Sequence, residues 1–246
     1  MTNILPHTKL EIGSVSPDVL VCGDPARADL IAEHLQDVHI LAEWREYRTY
    51  QGKYNGRIVT VTSHGIGAPG AAIAFEELIT AGAQKMVRVG SCGSLQPDLN
   101  SGDLVVVTAA VQNTGYGRET VPEGFPAVAD VDLTLALRQA ADQHGHPYQA
   151  GIALTRDNFY AGVKTAAEPS YKQLSKANVL AVEMECSALF IVGSLRKIKT
   201  GAILAVDGNV LDEGELMGNY NPHRDVVAQA FQAEITIALE AITSTK

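Results

Sequence analysis

Short runs of β-branched and other apolar residues recur along the chain and alternate with longer amphipathic stretches. Apolar runs of this length between small or polar residues are typical of buried strands. The predicted strands cover residues 18–23, 58–63, 85–91, 103–111, 179–185 and 200–208. Because helix-length segments separate these strands, the pattern predicts an α/β fold with a largely parallel or mixed sheet covered by helices.

The clearest predicted helix covers residues 223–243 near the end of the chain. Asn221 is placed to cap it, and Pro222 suits its first turn. Apolar side chains recur on one face of it, namely Val227, Phe231, Ile235, Leu239 and Ile242. Residues 112–130 and 209–222 are rich in Gly, Pro, Asn and acidic residues, so both are predicted to be loops.

The composition fits one folded domain spanning residues 1–246. With 46% apolar and 19% charged residues, the chain can bury a full core. The first residues lack the pattern of a secretory signal, and no apolar run approaches the ~18 residues that a membrane span needs. We therefore expect a cytoplasmic protein with no membrane partner.

Charge and cysteine usage narrow the possible ligands. A net charge of −9 repels nucleic acid, so an anionic ligand would have to be held by locally placed arginines. The three cysteines, Cys22, Cys92 and Cys186, lie far apart without C-x-x-C spacing. This spacing suits a reducing compartment and argues against a thiolate zinc site, so no metal is predicted.

The stretch "HGIGAPG", residues 64–70, spells G-x-G-x-x-G between an apolar run and a predicted helix. A dinucleotide site would need an acidic residue ~20 positions later, but that strand end carries Arg88 and Ser91. Pro69 also fits poorly into a tight turn before a helix. The dinucleotide interpretation is therefore disfavoured, and a glycine-rich turn without a ligand stays as an alternative.

Two other strand ends combine small residues with a reactive side chain. "CGDPAR" places Gly23 and Asp24 at a strand end and Arg27 at the start of the next helix. "RVGSCG" repeats this arrangement with Arg88 and Ser91. Backbone N–H groups at a helix start, beside a guanidinium with paired donors, favour an anion such as phosphate.

Six stretches in this order resemble the family of purine nucleoside and uridine phosphorylases. They are "GDPAR" (23–27), "HGIG" (64–67), "RVGSCG" (88–93), "DNFY" (157–160), "VEMEC" (182–186) and "AVDGN" (205–209). The resemblance implies a central mixed sheet curled towards a barrel, flanked by helices, and a homohexamer built from three dimers. It implies phosphate-dependent cleavage of the N-glycosidic bond of ribonucleosides or deoxyribonucleosides, with inorganic phosphate as co-substrate and no other cofactor.

The resemblance also assigns residues to each substrate. The phosphate would be held by Gly23, Arg27, Arg88 and Ser91, with Arg45 supplied by the neighbouring subunit. The nucleoside would be bound by His7 of the neighbour, which reaches the 5′ hydroxyl, and by Phe159, Tyr160, Val182, Glu183, Met184, Glu185 and Asp207. Glu185 would accept hydrogen bonds from the 2′ and 3′ hydroxyls, over Met184 as an apolar floor, while Glu183 would support Glu185 or line the substrate.

Three residues would be catalytic: Arg88, Glu185 and Asp207. Asp207 is the candidate general acid, because a carboxyl at the end of an apolar strand can have its pKa raised towards neutrality. The commoner family pattern places Ser-Asp-His after this strand, whereas "VDGN" here matches one branch of the purine enzymes. We further expect residues 209–222 to form a lid over the base, because the segment is long and follows this acid.

The segment after Tyr160 predicts which base is accepted. Uridine-specific members of the family carry a glutamine and an arginine there, but this chain has Val163, Lys164 and Thr165. A pocket without those donors cannot select the uracil amide edge. We therefore predict a purine nucleoside, inosine or guanosine before adenosine. Uridine phosphorolysis is an alternative, as is a non-enzymatic nucleoside-binding domain; a hydrolase that uses water would not need Arg88.

Overall fold

The computed structural model describes residues 3–160, 162–211 and 221–245. Within these ranges the chain forms ten strands and seven helices. The strands are β1 (Asp18–Cys22), β2 (Gln36–Trp44), β3 (Tyr47–Tyr54), β4 (Arg57–Ser63), β5 (Lys85–Ser94), β6 (Leu104–Asn113), β7 (Ala127–Val128), β8 (Tyr148–Arg156), β9 (Val179–Glu183) and β10 (Lys199–Asn209). The helices are α1 (Pro25–Ala32), α2 (Ala68–Ala81), α3 (Gly115–Thr120), α4 (Val131–His144), α5 (Tyr171–Lys176), α6 (Cys186–Arg196) and α7 (Asp225–Ser244).

Five of the strands close into a barrel. Hydrogen-bonded pairs run from β10 through β6, β8 and β9 to β5, and β5 pairs with β10 again. Strands β1, β4, β3 and β2 continue from β5 in that order and form an open extension, here called the wing. Parallel pairs such as β1–β5 occur beside antiparallel pairs such as β10–β6. The predicted α/β fold, with a mixed sheet curled into a barrel, is confirmed.

Helices cover both faces of this sheet and complete two hydrophobic cores. Residues of α2 and α6 belong to one core, and residues of α1, α4 and α7 belong to the other. By length and composition helix α7 could cross a membrane, but 56% of its apolar stretch is buried inside the fold. Its apolar face therefore serves the core of the protein.

All six predicted strands are present within a few residues of their expected bounds, but four others were missed. The side chains of β2 are mostly exposed, and β3 is rich in polar residues, so neither has the apolar pattern of a buried strand. Strand β8 is also missing from the prediction. The predicted loop 112–130 was wrong in part, because it contains α3 and β7. Thr114 caps α3 by accepting a hydrogen bond from the Gly117 amide, a local signal that its glycines concealed.

Helix α7 begins at Asp225, two residues later than predicted. The residue at its N-cap is Arg224, which makes no side-chain capping hydrogen bond. The predicted cap, Asn221, instead accepts a hydrogen bond from the backbone N–H of His223 at 3.0 Å. The Asn221 side chain therefore stabilises a short turn before the helix and does not cap the helix itself.

Strand β5 joins the barrel to the wing, and its two edges pair with other strands in different ways. Along one edge it pairs with β10 over its whole length. Along the other edge it pairs with β1 as far as Arg88 and with β9 from Gly93. Among the described residues no strand pairs with this edge between those two positions. We call this gap, spanning residues 89–92, the notch.

Candidate active site

Gly23, Arg88 and Ser91, three of the predicted phosphate residues, lie at or near the carboxyl ends of parallel strands. Strands β1, β4 and β5 run parallel, so Gly23 after β1 and His64 after β4 lie at the same edge of the sheet as the end of β5. The two turns touch, since the Gly65 amide donates to the carbonyl oxygen of Gly23 at 2.9 Å. Crevices at the carboxyl ends of such strands are the usual ligand sites of α/β folds.

Arg88 is the buried cation of this site, with a relative exposure of 4%. Its Nη2 lies 2.5 Å from Oε2 of Glu185, and its Nε lies 3.4 Å from Oε2 of Glu183. Burial alone would lower the pKa of Arg88, but the carboxylates of Glu185 and Glu183 raise it above its ordinary value. The guanidinium therefore stays charged, and the structure brings the predicted phosphate residue and the predicted sugar residue into direct contact.

Glu185 is held from two sides. Its Oε2 binds Arg88, and its Oε1 accepts a hydrogen bond from the backbone N–H of Gly67 at 2.6 Å. Burial raises the pKa of Glu185, and the neighbouring Arg88 opposes that rise. The glycine motif of residues 64–70 thus presents a backbone donor to a carboxylate of this chain. Gly67 has φ +95°, a backbone conformation that residues other than glycine rarely adopt.

Glu183 supports the turn that carries Glu185. Its Oε1 accepts from the Thr155 hydroxyl at 2.5 Å, and its Oε2 accepts from the amides of Glu185 and Cys186 at 2.7 and 2.9 Å. These amides lie at the start of α6, whose first N–H groups lack partners within the helix. Of the two predicted roles for Glu183, the contacts support the one that fixes Glu185.

His64 completes the group around Arg88. Its Nε2 lies 3.1 Å from Nη1 of Arg88, and its Nδ1 lies 2.9 Å from the carbonyl oxygen of Gly65. Burial holds the pKa of His64 well below its ordinary value, and the charge of Arg88 adds to this effect. We call His64, Arg88, Glu183 and Glu185 the buried cluster.

Arg27 and Gly23 lie beside the buried cluster on the β1–α1 turn. Asp24 caps α1 by accepting from the Ala26 amide at 2.9 Å, which explains its place in the motif. The Arg27 guanidinium lies 4.1 Å from the ring centroid of Phe231 on α7. Its charge lowers the pKa of Glu185, although less than Arg88 does, so a second arginine is close to the same carboxylate.

Ser91 and the residues around Met184 border the notch. Ser91 is half-buried in the part of β5 that has one unpaired edge. Val182 pairs with Gly93 where β9 joins β5, and the half-buried Met184 follows directly after β9. Backbone groups on an unpaired strand edge need other partners, so the notch is suited to receive a polar ligand.

Asp207 occupies an irregular position in β10. The register between β10 and β5 shifts between Val206 and Gly208, so Asp207 is the extra residue of a bulge. Bulges redirect side chains and are frequent beside active sites. The Arg224 guanidinium donates to the backbone oxygen of Asp207 at 2.9 Å and to the hydroxyl of Ser101 at 2.6 Å. This arginine, which fixes the end of β10, was not predicted from the sequence.

The remaining predicted residues, His7, Arg45, Phe159 and Tyr160, are exposed, and we call them the rim. Phe159 and Tyr160 follow β8 with their ring centroids 5.3 Å apart. The Nδ1 of His7 lies 2.7 Å from Oε1 of Glu77, which is ten residues, or ~15 Å, along α2 from Gly67. Within one chain His7 is therefore not brought to the buried cluster. Arg45 lies in the β2–β3 turn with φ +57°.

The geometry agrees with comparisons to known proteins. The family model described as the phosphorylase superfamily matches residues 17–243. The chain belongs to this phosphorylase superfamily. It is 40% identical over 227 residues to a purine nucleoside phosphorylase of Plasmodium falciparum, covering 91% of this chain and 92% of the relative. It is also 36% identical over 243 residues to a uridine phosphorylase of Treponema pallidum, covering 96% and 92%.

A solved structure gives the same result for the fold. The purine nucleoside phosphorylase of Toxoplasma gondii, solved in complex with immucillin-H, superposes with a TM-score of 0.93 at 37% identity and covers 99% of this phosphorylase and 97% of that chain. The family resemblance predicted from the sequence is confirmed, and with it the enzyme class of pentosyltransferases. Relatives named for purine and for uridine substrates match to a similar degree, so the comparisons establish a nucleoside phosphorylase and leave the base open.

Several contacts of this phosphorylase site were not predicted. His64 and Gly67 were recognised only as parts of a motif, and Thr155 was not singled out. The signal for His64 was a polar residue at the end of an apolar strand, where an imidazole needs partners. The predicted lid, residues 209–222, falls largely on residues 212–220, which lie outside the described part of the chain.

Proposed function

We propose that this enzyme is a purine nucleoside phosphorylase that cleaves inosine and guanosine in preference to adenosine. The observation that carries the proposal is the buried contact between Arg88 and Glu185, with Nη2 and Oε2 2.5 Å apart. One group suits an anionic nucleophile and the other suits sugar hydroxyls, so the two substrates would meet at adjacent atoms. Holding both reactants together in a water-poor site supplies much of the rate enhancement in such reactions.

The proposed reaction is a displacement at the anomeric carbon. A phosphate oxygen held by Arg88, Arg27 and the Gly23 turn forms a bond to this carbon while its bond to the purine nitrogen breaks. The electron pair leaves with the base, and Asp207 gives a proton to a ring nitrogen of the purine. The products are the free base and pentose 1-phosphate, and the sugar passes through a state with oxocarbenium character.

The preference for a purine rests on the segment after Tyr160. Val163 is 87% exposed there, and Lys164 and Thr165 follow it, in place of the glutamine and arginine that the resemblance associates with uracil. Phe159 and Tyr160 are exposed by 52% and 67%, which leaves their rings able to stack on a flat base. A purine offers a larger stacking area than a pyrimidine and does not need the missing donors.

We also propose a cytoplasmic homohexamer with sites shared between subunits. His7 and Arg45 are exposed on this chain, and the resemblance places both in the site of a neighbour. Strand β2, which leads into the turn of Arg45, also exposes the apolar side chains of Val38, Ile40 and Trp44. These side chains leave a surface on the wing for contact with another copy.

The proposal is tested by measuring hypoxanthine release from inosine with and without inorganic phosphate. We expect release only with phosphate, together with ribose 1-phosphate, and a kcat/KM for inosine at least ~100-fold above that for uridine. Release without phosphate would identify a hydrolase, and a preference for uridine would identify a uridine phosphorylase. Binding of inosine with no turnover would identify a non-enzymatic binding domain.

A further inference from the structure

His64 is fully buried at the carboxyl end of β4, next to Arg88. An imidazole removed from water is costly unless its nitrogens find partners. Both nitrogens have one, since Nδ1 lies 2.9 Å from the Gly65 carbonyl oxygen and Nε2 lies 3.1 Å from Nη1 of Arg88. The residue is therefore built into its surroundings through specific polar contacts.

The two partners determine where the proton of His64 lies. A carbonyl oxygen can only accept, so Nδ1 carries the hydrogen and donates it to Gly65. A guanidinium can only donate, so Nε2 presents a lone pair to Arg88. Both contacts form together only in the neutral ring, which burial and the charge of Arg88 favour by holding the pKa of His64 well below its ordinary value.

The backbone amides of His64 and Gly65 contact the turn at Gly23, the other turn proposed to hold phosphate. The His64 amide donates to the Cys22 carbonyl at 2.8 Å, and the Gly65 amide donates to the Gly23 carbonyl at 2.9 Å. A β-carbon on Gly23 would lie 3.3 Å from the Gly65 oxygen, so the turns are closely packed. His64 thus links the Gly23 turn, through its backbone, to Arg88 of β5, through its ring.

The ring also has a distinct position among the contacts of Arg88. Glu185 and Glu183 face the guanidinium as carboxylates, whereas His64 is a neutral acceptor. A neutral acceptor fixes the orientation of Nη1 without neutralising the charge that an anion requires. Each terminal nitrogen of a guanidinium carries two hydrogens, so Nη1 can donate one to His64 and the other to a phosphate oxygen.

We propose that His64 is a positioning residue for phosphate: its Nε2 lone pair orients the Arg88 guanidinium, and its backbone holds the Gly23 turn on the other side of the anion. This inference rests on the proposed phosphorolysis and adds to it a residue that need not touch either substrate. The motif "HGIG" then serves both substrates, since His64 orients the phosphate residue and Gly67 holds the sugar residue Glu185.

Two amide substitutions test the roles of the two ring nitrogens separately. In His64→Gln the amide oxygen can reach the position of Nε2 and accept from Arg88. In His64→Asn the shorter amide reaches only the position of Nδ1 and can still donate to Gly65. Both variants lose the edge-to-face contact with Phe75, whose ring centroid lies 5.4 Å away, so lost packing is common to the pair.

We expect His64→Asn to weaken phosphate binding and to raise the KM for phosphate ~10- to 100-fold, the effect of losing a hydrogen bond to a charged group. The KM for inosine should stay within ~3-fold, and His64→Gln should restore phosphate affinity to within ~3-fold of the native protein. Phosphate affinity is measured by calorimetry without nucleoside, and the melting temperature of each variant checks the fold. If His64→Asn does not fold, His64→Phe takes its place, since it supplies an aromatic ring without either nitrogen. The same loss of phosphate affinity is expected.

Equal phosphate affinity in the native protein and His64→Asn, or equal losses in both amide variants, would overturn the role of His64. A native protein that binds phosphate and cleaves no nucleoside would overturn the proposed function, while the affinities would still decide the role of His64. A native protein that binds no phosphate would overturn both.

Discussion

The buried cluster and the rim are two halves of one proposed site, and they differ in how far the isolated chain fixes them. In the buried cluster every side chain is within hydrogen-bond or ion-pair distance of another member or of the backbone. The rim residues are exposed, and His7 binds Glu77, away from the cluster. Changes in the cluster should therefore affect both stability and activity, whereas changes in the rim should affect activity alone.

The largest expected effect follows from Arg88→Ala. It removes the side chain that we propose holds the phosphate, which should lower kcat/KM at least ~100-fold. It also leaves Glu183 and Glu185 buried without their cation, at a cost of ~3–5 kcal/mol in the free energy of unfolding. Because Arg88 is buried, its loss should weaken the fold as well as phosphate binding.

Arg196→Ala is the matched control, because Arg196 pairs with Glu76 on the surface with Nε and Oε2 2.7 Å apart. Denaturant unfolding and steady-state kinetics with varied phosphate give both quantities for the two variants. An Arg88→Ala protein with native phosphate dependence would remove Arg88 from the phosphate site.

Glu185→Gln tests the sugar side of the buried cluster. We expect kcat/KM to fall ~10- to 100-fold more for inosine than for 2′-deoxyinosine, because charged hydrogen bonds to hydroxyls contribute ~1.5–3 kcal/mol. The 2′-deoxy substrate is the internal control, since it lacks one of the two hydroxyls. Equal losses on both substrates would indicate that Glu185 acts only through its contact with Arg88.

Glu234 on α7 is a fully buried carboxyl of a different kind, since within the described part of the chain no cation forms an ion pair with it. Burial raises its pKa well above 4.5, against the opposing charges of Arg27 and Arg88. The unfolded chain therefore loses this proton first as the pH rises. Stability should decline above pH ~4.5 by up to ~1.4 kcal/mol per pH unit until the folded-state pKa is reached.

Glu234→Gln should remove this decline, so that the variant matches the native protein at pH 4 and exceeds it in melting temperature at pH 7. Glu240→Gln, on the more exposed face of the same helix, is the control. Parallel pH profiles for the native protein and Glu234→Gln would show that Glu234 finds a partner in solution.

Arg45→Ala tests the rim. We expect a rise of several-fold in the KM for phosphate and an unchanged melting temperature, because Arg45 is exposed. If a neighbouring subunit supplies Arg45, mixed oligomers of Arg45→Ala and Asp207→Asn contain some complete sites. Mixing the two variants after dissociation should then recover activity, and no recovery would place Arg45 in the site of its own chain.

The mixed sheet and six of the strands could be predicted from the sequence because these depend on local patterns. Apolar runs mark buried strands, and Gly-containing strand ends mark the ligand edge. The exposed side chains of β2 gave no such signal, and its place in the wing depends on pairing with β3. The partners of Arg88 come from residues 64, 183 and 185, and only the closed sheet shows that these side chains meet.

Strand β5 has a consequence for how this molecule folds. Because it pairs with β10 and β9 of the barrel and with β1 of the wing, its ladders cannot break in one part without exposing unpaired groups in the other. The barrel and the wing should therefore melt together as a single cooperative unit instead of as separate foldons. The notch, in contrast, lies where β5 has the fewest backbone partners, so amide exchange there should be fastest within this strand and should slow when the anion is bound.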